Sequence, residues 1–459
     1  MKKTLIVLTL AALLGVVPAG AQVDFTRYVA LGDSMTAGLV SGGLVQYYQD
    51  RSYPALLAQQ TGAPVFEMPT ITEPGFPPLF ELGSLSPLVI EPNPGAPGLP
   101  TNATYPLPYN NLGVPTANLY DLLFTTGDIE NLLAGNIDNA MHDLILRIPQ
   151  VPDPTTGQLI PFTAMTQAIA QQPTFATMWI GNNDILTAVM TGSYIPGLTA
   201  TPVDFFEELY GQALGALATM TSADIVVVNI PDVTTIPFVT TVSNYVEVPG
   251  LGTFQLMGED GPILDEDYIT LGAAPLIAQG YGLPGSPPLP EGLNFVTGDY
   301  GVILRADEVA AINNHIAAFN AIIAGTAAAF GVPVLDINER YNEVVAGDPW
   351  ILGGITITAD FLTGGIFSYD GIHPQNIGYG LVAVELIDTI NEAYGANIPQ
   401  LNMDQILCSG GCFGRGVPIG TKASDVIFGA DAFERLKELF PITMPEARRV
   451  PGRVSASTN

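Results

Sequence analysis

Residues 28–38 read YVALGDSMTAG. Four apolar residues, Tyr28 to Leu31, run into Gly32-Asp33-Ser34, and a helix-compatible segment follows. A short apolar run bounded by a turn signal is the pattern of a buried strand. A Ser at the start of the next helix is ordinary cap chemistry, because its hydroxyl accepts from a backbone N–H two or three residues on. Alone, the tripeptide says no more. Its meaning changes if the strand belongs to an open parallel sheet, where ligand sites form at the C-terminal strand ends.

The chain beyond this stretch alternates between strand and helix patterns. SYPALLAQQTG (52–62) has helical spacing and stops on Gly62, and APVFEM (63–68) is expected to resume as a strand. TANLYDLL and NAMHDLILRI, within 116–148, are expected to be helical, and FATMWIGNND (175–184) is a strand leading into polar turn residues. A long helix over 202–223 precedes DIVVVNIPDV (224–233), whose continuous apolar run suits a parallel strand buried on both faces. A helix over 306–331, a strand over 332–337 and a helix over 374–395 complete the series. Such alternation implies a parallel α/β sheet.

Two stretches interrupt it. Residues 69–109 are rich in proline, and 239–303 are rich in Gly and Pro with short β-like pieces. Both are expected to be loop-rich insertions that either line the site or decorate the surface. Phe76, Leu79, Phe80 and Leu82 in the first would suit an acyl chain.

Four pieces fall at strand ends or in loops: GDS at 32–34, NNLGVP at 110–115, GNND at 181–184 and DGIHP at 370–374. Together they hold the parts that serine acyl transfer needs. A hydroxyl is a poor nucleophile near pH 7 without an adjacent base. His373 suits that task because imidazole titrates near neutrality. Asp370, in the same turn, can accept from the far ring nitrogen and orient it. A developing oxyanion needs fixed donors, which the Ser34 and Gly113 backbone N–H groups and the Asn183 amide are expected to supply. The other histidines, His142 and His315, lie in helical patterns and are expected at the surface or its boundary.

These residues resemble the SGNH (GDSL) hydrolase family, whose four blocks are a G-D-S nucleophile, a loop Gly, a G-x-N-D turn and a late D-x-x-H. The resemblance implies a three-layer α/β/α, flavodoxin-like fold and hydrolysis of esters, thioesters or lipids without a metal or other cofactor. It implies a triad of Ser34, Asp370 and His373, with Ser34, Gly113 and Asn183 as the oxyanion hole. Met35 stands where many members have Leu, and the insertions and tail depart from compact members. No G-x-S-x-G elbow and no H-E-x-x-H or Cys/His cluster points to a competing mechanism.

Composition narrows the setting. Residues 1–21 have the charged start, apolar run and Ala-Gly-Ala end of a secretory signal. The remainder is expected as one hydrolase domain over 22–400 and a C-terminal extension over 401–459. The product would be secreted or periplasmic, or held at the cell surface. A formal charge of −30 repels nucleic acid and anionic membranes, although seven of the fourteen basic residues lie in 413–459. Cys408 and Cys412 in CSGGC read as a local disulfide in an exported protein, since a metal site would need further ligands nearby. No later apolar run is long enough to span a bilayer. The expected function is an exported serine esterase or lipase acting on a small-molecule or lipid ester. The alternatives are a carbohydrate O-deacetylase of the same fold and a noncatalytic surface binding protein. Oligomeric state is not set by the sequence.

Overall fold

The structure is a computed structural model describing residues 23–85, 88–106, 108–295, 297–352, 354–409, 426–440 and 442. The expected signal segment 1–21 and the expected Cys408–Cys412 bridge lie outside the residues whose side chains it describes.

Five strands form the central sheet: β1 (Tyr28–Gly32), β2 (Asn111–Gly113), β3 (Phe175–Trp179), β4 (Asp224–Val228) and β5 (Val334–Leu335). All neighbours are parallel, and the spatial order is β5-β4-β3-β1-β2. This is the flavodoxin-like order, in which the chain changes direction of winding between β1 and β3 and opens a crevice there. Gly32 is paired with Gly113 on one side and with Trp179 on the other. The C-terminal ends of β1, β2 and β3 therefore lie level, so that the segments after them meet.

Side chains alternate across the sheet, as a period of two requires. Tyr28, Ala30, Phe175, Trp179, Val226 and Val228 pack on one face. There they meet α2 (Tyr53–Thr61) through Tyr53 and Leu57, and α7 (Asn376–Tyr394) through Leu386 and Ile390. Val29, Leu31, Ala176, Met178, Ile225 and Val227 pack on the other face. Their partners include α4 (Val203–Met220) and α5 (Ala306–Phe330), whose Phe206 and Phe319 rings stack at 3.7 Å. The parallel sheet expected from the alternation, and the three-layer α/β/α arrangement that the resemblance implies, are thus present.

One element differs from expectation. Residues 63–68 form no strand; the place beside β1 is taken by Asn111–Gly113, and the Asn110 and Asn111 N–H groups donate to Glu67 O. The segment meets the outer edge of the Asn111–Gly113 strand, but both N–H groups converge on one carbonyl, so no ladder forms.

The extension returns to the body of the protein. Val426–Phe428 pairs in parallel with Leu88–Ile90 of the first insertion, whose own hairpin is Phe80–Leu85 with Leu88–Pro92. Helix α8 (Ala430–Leu439) follows and buries Phe433, Leu436 and Leu439. This places the amphipathic pattern at 431–440 against both insertions, with Phe433 occupying the space that any side chain at Gly272 would need. Phe80, one of the four apolar residues expected to suit an acyl chain, instead packs edge-on against Phe428 at 5.7 Å. None of the four lines the cavity described below.

Candidate active site

Ser34 opens the one-turn helix α1 (Ser34–Ala37), immediately after β1. Gly32 is required there by close approach, because a Cβ would lie 2.1 Å from Thr36 Oγ1 and 2.3 Å from Trp179 O. Asp33 caps the turn by accepting from Met35 N at 2.9 Å. The first N–H groups of a helix have no intrahelical acceptor, so the Ser34 N–H is left available.

His373 and Asp370 reach Ser34 from the turn before α7, 339 and 336 positions along the chain. The Ser34 hydroxyl and His373 Nε2 are 2.8 Å apart, and His373 Nδ1 is 2.9 Å from Asp370 Oδ2. Asp370 and His373 are both buried. With Nδ1–H donating to the carboxylate, Nε2 is the acceptor for the serine proton. Asp370 accepts four further hydrogen bonds, from the N–H groups of Gly42, Ile372 and His373 and from Ser368 Oγ. Burial pushes its pKa up, but the adjacent His373, through its electrostatics and its ring and backbone hydrogen bonds, together with the Ile372 N–H, outweighs burial and leaves it below the usual carboxylate value. Ser41 and Ser368 tie the two loops together through bonds of 2.9 and 3.2 Å involving Ser41 N and Tyr369 N.

Asn182 and Asn183 follow β3 on the opposite side of Ser34. Asn183 Nδ2 donates to Ala117 O at 2.8 Å, leaving its second amide hydrogen free of that bond. Asp184 holds the segment by accepting from Leu119 N and Thr201 Oγ1. Gly113 does not present its N–H as expected: that group donates to Asn111 Oδ1 at 2.9 Å, and the residue lies flat against α1, where a Cβ would sit 2.4 Å from Ala37 N. Three residues on, Thr116 adopts φ 73°, a left-handed conformation uncommon for a β-branched residue. Its N–H has no hydrogen-bond partner among the described residues.

Asn182 was not singled out in the sequence, yet its Nδ2 donates to Asp33 Oδ2 at 2.8 Å. Burial pushes the Asp33 carboxyl up to about 6, against the lowering influence of Met35 N–H, Asn182 and His373. Between the ordinary Asp value and 6 the folded chain binds more protons at this group than the unfolded chain. The stability it contributes is therefore complete below pH 3.8 and lost as pH rises through about 6. Asp33→Asn removes this titration, and Asn182, whose Oδ1 has no partner among the described residues, can turn to accept from the new amide. Relative to wild type, the variant is expected to gain up to about 3 kcal/mol between pH 4 and pH 7. Urea unfolding at both pH values measures it, and parallel curves for the two proteins would refute it.

His142 and His315 are buried rather than peripheral. Inside the fold, His315 Nε2–H donates to Thr201 O at 2.7 Å and Tyr194 Oη–H donates to Nδ1 at 2.8 Å, and burial lowers its pKa. Neither bonds to Ser34, so among the histidines His373 alone does.

An apolar cavity of about 90 Å³ opens beside Ser34, with His373 and Asn183 also at its wall. Val233, Ile236, Ile337, Tyr341, Trp350 and Phe367 are among its other lining residues. From the extension, the Phe440 ring lies 6.1 Å from the His373 imidazole at 19°, and Tyr300 Oη–H donates to Phe440 O at 3.0 Å. The described residues contain no cluster of three or more His, Cys, Asp or Glu suited to a metal ion, and no helix long and apolar enough to cross a membrane.

The sequence model for GDSL-like lipase/acylhydrolase matches residues 28–386. Among curated proteins none matches the chain. Among solved structures the chain is similar to an extracellular lipase from Streptomyces rimosus, at 15% identity over 79% of this chain and 99% of the other, with a TM-score of 0.34. It is also similar to phospholipase A1 from Streptomyces albidoflavus, at 14% identity over 79% and 98% of the two chains with a TM-score of 0.29. A lipase/acylhydrolase from Enterococcus faecalis is 12% identical over 82% and 98%, with a TM-score of 0.30. With the match running from β1, through the Ser34 turn and the D-x-x-H turn, into α7, the chain belongs to the GDSL-like lipase/acylhydrolase family and is a hydrolase.

Proposed function

We propose that this protein is an exported serine carboxylic-ester hydrolase that acts on esters of short acyl chains through Ser34, His373 and Asp370. The observation that carries the reading is the unbroken bond from Ser34 Oγ through the His373 ring to buried Asp370, set at the wall of an apolar cavity. Ser34 Oγ attacks the acyl carbon as its proton passes to His373 Nε2. The C–O bond to the alcohol then breaks, and the alcohol leaves with that proton. Water, deprotonated by the same nitrogen, attacks the acyl-enzyme and releases the acid with Ser34 restored.

Charge on the carbonyl oxygen is met by the Ser34 N–H and the free Asn183 amide hydrogen. The Gly113 N–H is engaged elsewhere, and the Thr116 N–H takes the third place in this scheme.

Cavity size supports a short acyl group. An apolar cavity of about 150 Å³ holds benzene, so 90 Å³ suits roughly four carbons. An acetyl group would leave most of the wall unfilled, which disfavours the O-deacetylase reading. Hydrolysis of p-nitrophenyl esters from acetyl to palmitoyl tests the proposal. The kcat/KM is expected to rise roughly fourfold per added methylene up to butyrate or pentanoate and to fall for longer chains. A maximum at acetate would favour the deacetylase, and no turnover by the folded protein on any ester would favour a binding protein.

A further inference from the structure

Ser34 follows β1, whereas Tyr341, on α6 (Ile337–Val345), and Trp350 come from the chain beyond β5. Gly378, Leu381 and Val382 of α7 line the cavity in turn from the His373 end, and Glu385 lies about 13 Å along that helix from its start. Tyr341 and Trp350 also line the cavity, and the Trp350 indole bonds to Glu385, one helical turn beyond Leu381 and so at the end remote from Ser34.

Trp350 differs from the rest of this wall. It belongs to the small hairpin Trp350–Leu352 with Ile355–Ile357, whose strands pair only with each other. Its next neighbour, Ile351, is 62% exposed, whereas Ile357 on the paired strand is buried in the core, so the hairpin has one face to solvent and one face inward. The indole is nevertheless held firmly. Trp350 Nε1–H donates to Glu385 Oε1 at 3.1 Å. Arg340 lies over the ring with its guanidinium carbon 4.2 Å from the centroid, and its Nε pairs with the same Glu385 oxygen at 3.4 Å. Two elements, α6 and α7, thus clamp one side chain from outside the sheet against a cavity that faces Ser34.

We propose that Trp350 is the residue that sets the upper acyl length, acting as a removable end wall of the acyl cavity, with Arg340 and Glu385 as its positioning residues. The proposal rests on the serine-esterase reading above. Without the indole, the cavity continues beneath the hairpin toward the edge of the sheet, and the further methylenes of a longer chain become buried.

The test compares full-length wild type, Trp350→Ala, Trp350→Phe and Arg340→Ala on p-nitrophenyl butyrate and octanoate, with Ser34→Ala as the blank. In Trp350→Ala the octanoate-to-butyrate ratio of kcat/KM is expected to rise at least about tenfold, as two or more methylenes gain burial at roughly fourfold each. Trp350→Phe and Arg340→Ala are expected to give smaller rises in the same direction, carried by KM. A ratio within twofold of wild type in Trp350→Ala that labels with a fluorophosphonate at the wild-type rate overturns the inference. Should Trp350→Ala fail to fold, an unchanged ratio in both Trp350→Phe and Arg340→Ala overturns it equally. Wild type without Ser34-dependent ester turnover would instead overturn the esterase reading itself, so the two failures are separable.

Discussion

Ser34→Ala is expected to lower kcat by a factor on the order of 10⁴ to 10⁶ while leaving the fold intact. The substitution removes one oxygen from a buried side chain on a one-turn helix and keeps its Cβ. The structural cost is one hydrogen bond, to His373 Nε2, worth about 1 kcal/mol. The Asp33 cap, the Gly32 contact and the Asp370 network do not involve the hydroxyl. Chemically the loss is complete, because no other hydroxyl among the described residues bonds to His373. Hydrolysis of p-nitrophenyl butyrate and a thermal melt measure the two halves. Wild-type turnover in a variant with an unaltered melt would exclude Ser34 as the nucleophile.

His373→Ala is expected to be nearly as severe in turnover and harsher in stability. Without the ring, the serine has no base, and reaction with a fluorophosphonate slows together with ester hydrolysis. The second loss follows from Asp370, which is completely buried. Burial opposes its charge, and the adjacent His373 is the foremost of the groups that offset burial. Removing the imidazole leaves a buried carboxylate with its four remaining donors, and losing a buried hydrogen bond to a charged group costs roughly 1.5–3 kcal/mol. Urea unfolding at pH 7 should therefore separate this variant from Ser34→Ala, whose carboxylate keeps its partner. Equal stability of the two variants would mean that the backbone and Ser368 donors alone sustain the Asp370 charge. Added imidazole, which can enter the vacated space, should restore part of the turnover.

The candidate site was legible to the extent that chemistry and short-range pattern carry it. Ser34 stands at the end of an apolar run, and Asp370 and His373 share one turn, so residue type and spacing were enough to pick them out. Choosing among three histidines was possible because only His373 has an acidic partner in a turn before a helix. The actual surroundings of His142 and His315 were not legible, since burial of a polar ring depends on distant partners such as Tyr194 and Thr201. Asn182 escaped notice for the same reason: its use is a bond to Asp33, 149 positions away.

The sequence by itself determined the alternation of buried strands and helices, the family blocks and the serine, histidine and aspartate, because these follow from local periodicity, turn chemistry and reactivity. Tertiary structure decided the rest. Pairing of Gly32 with both Gly113 and Trp179 levels three strand ends and brings Asn183 to Ser34. Packing also turned Gly113 toward α1 and held Thr116 at a positive φ that its own side chain disfavours. Residues 63–68 lost a strand they were suited to form, because Glu67 O takes two N–H groups at the β2 edge and no ladder follows. The cavity end at Trp350 and the Phe440 ring beside His373 join chain segments far apart in sequence, and no local pattern encodes how distant surfaces meet.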